Sequence, residues 1–297
     1  MWAVWQESSH KTQAGDATGE RPQILLSGPE WQFTGAGSNS TLPEIGSDEF
    51  VSAPWQTVQV PHVFQTRTNF DEITQGWYRR TFTVPPELSG KRLYLVFEGA
   101  ATITDVYVNG RHLGQHRGAY TRFIFDATEE LQKGSNTLAV QVDDNPQDYN
   151  DCLPSHNRLY TVWGGLYRKV WLVATDPLHI DPTDYASPGI YIMPKNISAG
   201  HADISINVLV RNDSPESQAA EVRATLLDPK GAAVKTLTGN VVVPSDQRAI
   251  VDLNGSVSNP KLWSPGDVSI VHQRQIQRIT ANEELAYLLS QNRYKID

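Results

Sequence analysis

His112 and His116 stand four positions apart, a spacing that on a helix would turn two imidazoles toward one metal. They fall instead in "DVYVNGRHLGQHRGAY" (Asp105 to Tyr120), where Val106 and Val108 alternate with polar or amphipathic neighbours and Asn109-Gly110 follows at once. That dipeptide signals a two-residue type I′ hairpin, and on strands the spacing loses its metal meaning, so no metal ligand set is assigned. His112, Gln115, His116 and Arg117 then read as a solvated edge, with Gly118 and Tyr120 shaping the next strand. A second chemical stretch is "DDNPQDYNDCLPSHNR" (Asp143 to Arg158), a long loop rich in carboxylate and amide oxygens. Such oxygens suit calcium, but the spacing departs from the calcium loop D-x-[DN]-x-[DN]-G, and long polar loops more generally carry function. A third is "WGGLYR", where Gly164-Gly165 allows close backbone approach or positive φ, Tyr167 and Arg168 lock the returning strand, and Trp163 is the aromatic most available to a ligand.

Composition limits what these groups can serve. The chain has 297 residues, a formal net charge of −8 spread along its length, and one cysteine, Cys152. A dispersed negative charge leaves no electrostatic footprint for nucleic acid, and no run of eighteen apolar residues offers a membrane span. One thiol cannot form an intrachain disulfide, so the redox compartment is left open. "MWAVWQESSH" has neither a basic n-region nor a sufficient apolar stretch, so no signal peptide is visible in the chain as it stands.

The elements that must position these residues read as all-β. From Gln23 onward, short apolar alternations recur between turn residues: "TVQV", "YRRTFTV", "RLYLVF", "RFIF", "NTLAVQV" and "RKVWLVA". "NTLAVQV" places Leu138, Val140 and Val142 on one face, and "RLYLVF" does the same with Leu93, Leu95 and Phe97. Residues 1–22 are polar and aperiodic and read as a flexible tail. "HIDPTDYASPGIYIMPKN" interrupts the strands with prolines and glycine, which puts a domain cut near Pro182. Beyond it "ADISINVLVRN" alternates strictly, and about seven strands follow in 183–297, the count of an immunoglobulin-like sandwich.

Several segments in order carry a family resemblance: "PWQTVQVPHVF" (Pro54 to Phe64), "GWYRRTFTVP" (Gly76 to Pro85), "VYVNGRHLGQHRGAYTRFIFDAT" (Val106 to Thr128), "GSNTLAVQVDD" (Gly134 to Asp144) and "VWGGLYRKVWL" (Val162 to Leu172). Together they resemble the N-terminal jelly roll of glycoside hydrolase family 2, the β-galactosidases, β-glucuronidases and β-mannosidases. "NPKLWSPGD" (Asn259 to Asp267) resembles the Trp-Ser-Pro element of the immunoglobulin-like domain that follows in that family. The resemblance implies a jelly-roll (galactose-binding-like) β-sandwich over 23–182 and an immunoglobulin-like β-sandwich over 183–297.

It also implies where the chemistry is not. The family places its acid and nucleophile, two glutamates, in a (β/α)₈ barrel, and retaining hydrolysis needs such carboxyls about 5 Å apart. No barrel pattern occurs here, so no catalytic residue is assigned, and Asn282-Glu283 reads as a hairpin turn between "QIQRI" and "ELAYLL". The resemblance leaves Trp163, Tyr120, His116 and Arg158 as carbohydrate-contact candidates, with Asn109, Gly110, Gly164, Gly165, Tyr167 and Arg168 as structural motif residues. Positions that touch the sugar in the β-galactosidase branch align with Leu159 and Ile73, both apolar. In the cluster Trp77 to Arg80, alternation puts Trp77 and Arg79 on one face and Tyr78 and Arg80 on the other. That suits a sheet with ion pairs better than a sugar platform. No cofactor is implied. The implied partners are carbohydrate, held weakly, and a catalytic barrel domain or chain. The alternatives are a free-standing carbohydrate-binding module and a docking domain for a separate catalytic chain.

Overall fold

The computed structural model describes residues 21–37, 40–64, 73–144, 163–227, 232–260, 262, 276–281 and 283–288. They form β-strands joined by turns, with a 3₁₀ turn at Pro86–Leu88 and one short α-helix, α1 (Asp48–Ser52), whose first turn is capped by Ser47 Oγ accepting from Phe50 N at 3.1 Å. The first compact unit runs over 23–174 and the second over 21–22 and from 175 onward.

Two sheets build the first unit. One has the order β3 (Gln56–Val60), β2 (Gly28–Ala36), β4 (Gln75–Val84), β9 (Gly134–Asp143), β6 (Ile103–Val108), β7 (Arg111–Arg117). The other has the order β1 (Gln23–Leu25), β10 (Val170–Thr175), β5 (Arg92–Phe97), β8 (Phe123–Asp126). Leu138, Val140 and Val142 of β9 and Val106 and Val108 of β6 are fully buried, as their alternation requires, and join Trp31, Phe33, Leu95, Phe97 and Leu172 in one core. In β5 burial goes further than alternation indicates, because Tyr94 and Val96 are buried as well as Leu93, Leu95 and Phe97. The outer face of the six-stranded sheet is partly roofed: Trp77, Ala139 and Tyr107 pack beneath Leu42, Ile45, Phe50 and Trp55.

The β6–β7 connection is the expected hairpin. Asn109 (φ 51°) and Gly110 (φ 83°) both occupy the left-handed region that a type I′ turn demands. Asn109 Nδ2 donates to Glu130 O and Asn136 Oδ1 at 2.8 and 2.9 Å, while its Oδ1 accepts from Thr137 N at 2.9 Å. The turn is therefore tied to β9 as well as closing its own strands.

In the second unit, β13 (His201–Asn212) pairs along one side with β16 (Gln247–Ser258) and along the other with β11 (Leu178–Ile180) and β12 (Ile190–Lys195). A second sheet has the order β15 (Ala233–Val243), β14 (Gln218–Leu227), β17 (Ile276–Ala281), β18 (Glu283–Leu288). Ile206, Val208 and Val210 meet Val222, Val243 and Leu253 in a separate core. The units part between Ala174 and Thr175, ahead of the cut expected near Pro182. The reason is β11: Ile180 pairs with Val210, a long-range register that recruits this stretch to the second sandwich before the proline-rich segment begins. At the far end Ala281 pairs with Glu283 across the β17–β18 hairpin. Asn282, the "DPKG" turn, the Trp-Ser-Pro residues and positions 1–20 lie outside the described residues.

Candidate functional site

The Gly164-Gly165 pair anchors one end of the first unit. His62 N donates to Leu166 O at 2.8 Å and Phe64 N to Gly164 O at 3.1 Å, while Ala101 and Gly165 exchange both backbone hydrogen bonds at 3.2 Å. Backbone thus flanks the segment on two sides. A Cβ on Gly164 would lie 2.3 Å from Phe64 Cζ and 2.7 Å from Asp144 Oδ2; one on Gly165, at φ +125°, would lie 2.6 Å from His62 O and 2.7 Å from Tyr78 Oη. Both positions admit only hydrogen, and Gly165 also holds a φ that side chains rarely adopt.

Beneath this segment sits a buried aromatic floor. Tyr78 is fully buried, its hydroxyl is 2.8 Å from His62 Nδ1, and Phe33 lies 4.8, 5.2 and 5.9 Å, centroid to centroid, from Tyr78, His62 and Phe64. Burial pushes the Tyr78 hydroxyl far above its ordinary pKa, with the Asp144 charge adding to the effect, and burial pulls His62 below its own. Both groups are held neutral. The pair is a hydrogen-bonded support beneath the glycine segment.

Above the floor are the exposed aromatics. Trp163 is 43% exposed and Tyr120 is 51% exposed. Their segments lie side by side because the Tyr167 hydroxyl donates to Ala119 O. Arg168 is exposed, with its guanidinium carbon 5.8 Å from the Tyr167 ring centre. His116 is used in packing: its ring stacks on Phe123 at 4.1 Å and 11° and lies 3.2 Å from Thr121 Oγ1, and burial lowers its pKa. Arg158, Leu159 and most of the Asp/Asn-rich loop lie outside the described residues. Ile73 packs against the core, where an added Cβ on Gly35 would come within 2.7 Å of its Cγ2.

Along the β6–β7 edge of this unit the polar residues bond one another. His112 Nε2 and Gln115 Nε2 both meet the Asp105 carboxylate, at 2.8 and 2.9 Å, and Arg117 Nε donates to Gln115 Oε1 at 3.1 Å, making a cross-strand ladder along the sheet edge. Arg80 reaches Glu30 at 2.5 Å from the buried face. Arg79, on the outer face, stacks on Trp55, whose part in its setting no local pattern announced. Two signals hidden from sequence are the His62–Tyr78 bond and the Asp144–Gly164 approach, both made by residues far apart in the chain.

Two family models match the chain: the glycosyl hydrolase 2 galactose-binding domain-like model over residues 54–170, and the glycosyl hydrolases family 2 model over 188–269. A β-glucuronidase of Formosa agariphila is 32% identical over 256 residues, covering 79% of this chain and 26% of that protein. A β-galactosidase of Thermoanaerobacter pseudethanolicus is 30% identical over 240 residues, covering 80% of this chain and 30% of that protein. Among solved structures, a Bacteroides uniformis β-glucuronidase superposes with a TM-score of 0.80 at 28% identity, over 91% of this chain and 32% of that one. The chain thus spans between a quarter and a third of the length of these relatives.

Proposed function

The chain belongs to glycoside hydrolase family 2, and on that premise we propose that its two sandwiches are the non-catalytic N-terminal part of a β-glycosidase acting in carbohydrate metabolism, framing a sugar site completed by a catalytic barrel. The observation that carries this reading is the pairing of the two domain matches, 54–170 and 188–269, with relatives named β-glucuronidase and β-galactosidase of which the match covers 26% and 30%. The end of the jelly roll bearing Trp163 and Tyr120 is the part that faces substrate. An indole or phenol ring offers an apolar plane to the C–H face of a pyranose, while the glycine-locked segment beneath fixes the position of Trp163. His116, stacked on Phe123, belongs to the wall of this rim.

Hydrolysis needs a proton-donating carboxyl and a nucleophilic carboxylate about 5 Å apart across the bond. The neutral His62–Tyr78 pair supplies neither. The test is an aryl-glycoside screen with β-glucuronides, β-galactosides and β-mannosides on the 297-residue chain, purified free of host β-galactosidase. No turnover is expected. Turnover that survives purification and disappears in Glu283→Gln would overturn the reading. Micromolar oligosaccharide binding without turnover, lost in Trp163→Ala, would favour a free-standing carbohydrate-binding module.

A further inference from the structure

The roof over the outer face of the six-stranded sheet is incomplete. Residues 42–55 cover Trp77, Ala139 and Tyr107, but alongside them an open groove of ≈ 570 Å³ is lined by Glu30, Gln32, Thr57, Arg79, Thr81 and Thr137. That volume lies in the range of small-ligand sites. The residues share one face by register: Gln32 pairs with both Thr57 and Arg79, and Thr81 pairs with Thr137.

Arg79 gives the groove its chemistry. Its guanidinium carbon lies 3.9 Å from the centre of a Trp55 ring, and its Nε donates to Gln32 Oε1 at 2.8 Å, so the fork is held in place. Trp55 is itself anchored by its indole N–H donating to Phe50 O at 3.0 Å. Within the described residues no carboxylate pairs with Arg79, and Nη1 and Nη2 donate to no protein acceptor. The neighbouring Arg80 differs, since Glu30 neutralises it at 2.5 Å. The groove therefore holds one uncompensated, pre-positioned positive charge beside three threonine hydroxyls.

We propose that this groove binds an acidic oligosaccharide, with the carboxylate of a uronic acid residue on the Arg79 guanidinium and the sugar hydroxyls on Thr57, Thr81 and Thr137. A planar fork with two open N–H groups matches a carboxylate bidentately, and orienting it in advance lowers the entropic cost of binding. A single positive charge balances one carboxylate and not a polyanion. Around that charge the lining sets the hydroxyls of Thr57, Thr81 and Thr137 and the amide of Gln32, groups that match the hydroxyls of a sugar. The site is on the sheet face and goes beyond the rim described above, so it does not require Trp163.

The test is titration calorimetry of the full chain with an unsulfated tetrasaccharide of alternating glucuronate and N-acetylglucosamine, with cellotetraose as the neutral match and inorganic phosphate as the free anion. The acidic sugar should bind with Kd below ~1 mM. Arg79→Gln should weaken it at least ~10-fold and Thr137→Val by roughly 3-fold, as expected for hydrogen bonds to charged and to neutral groups. Arg117→Gln, which removes an exposed cation from the edge strand β7 outside the groove, should leave it unchanged, which separates this site from general positive charge. If Arg79→Gln does not fold, the Thr81→Val, Thr137→Val double variant decides, because both changes keep β-branched residues on exposed strand positions. Silence with the acidic sugar, as a groove built for a protein carboxylate would give, overturns the proposal. So does equal binding of cellotetraose, binding of phosphate alone, or an unchanged Kd in the decisive variant.

Discussion

Gly165→Ala isolates the backbone requirement of the candidate site. The substitution places a methyl 2.6 Å from His62 O and 2.7 Å from Tyr78 Oη, on a residue at φ +125°. Holding an L-residue there costs about 1–3 kcal/mol, and forcing a methyl into backbone already in contact adds about 1–3 kcal/mol, so the loss should centre near 4 kcal/mol. Valine should lose more, since its branched Cβ meets the same atoms. Gly90→Ala separates the two causes: Gly90 has φ +79° but nothing within 4 Å of the added Cβ, so it should cost only about 1 kcal/mol. Trp163→Ala, removing a side chain at a position 43% exposed, should also cost about 1 kcal/mol. Urea denaturation followed by far-UV circular dichroism orders the four variants without relying on tryptophan emission. Should Gly165→Ala prove no worse than Gly90→Ala, the close approach is not a constraint. Should Trp163→Ala prove worse than Gly165→Val, Trp163 is a core residue and the sugar rim loses its principal contact.

Three further outcomes follow from the fold. Asn109→Ala should destabilise the first unit by about 2–3 kcal/mol, because it removes three hydrogen bonds from a residue at φ 51°, and Asn109→Gly should recover the turn strain but not the bonds; melts that rank alanine equal to wild type contradict this. His179 is 5% exposed, and burial, with the Arg21 charge adding, lowers its pKa to about 4 against 6.5 unfolded. As pH falls from 6.5 toward 4 the unfolded chain takes a proton that the folded one refuses, so the second unit should lose stability by up to about 1.4 kcal/mol per pH unit. His179→Gln should flatten that slope between pH 6.5 and 4.5, and a slope as steep as wild type would discount the residue. Finally, since the two cores share no residue, calorimetry should resolve two transitions, whereas one transition with equal calorimetric and van't Hoff enthalpies would show a single cooperative unit.

The all-β class, the hairpin at Asn109-Gly110 and the inward rows Leu138, Val140, Val142 and Ile206, Val208, Val210 were legible in the sequence alone. Side-chain alternation and turn chemistry are local properties, set by residues within a few positions of one another. The ordered segments from "PWQTVQVPHVF" to "VWGGLYRKVWL" likewise identified the family, and the Gly164-Gly165 pair announced a special backbone.

Tertiary structure alone decided what those features meet. Composition marked a boundary near Pro182, but the pairing of Ile180 with Val210 moved Leu178–Ile180 into the second sandwich. Periodicity gave His116 a place on an edge, but a stack on Phe123 decided that its ring packs inward. Alternation placed Trp77 with Arg79 on one face, yet it could not show that residues 42–55 would roof the tryptophan and leave the arginine lining a groove. The physical reason is the same in each case. A strand pattern specifies which side chains share a face, while the neighbour that covers that face comes from residues tens of positions away, chosen by register and packing that no local window contains.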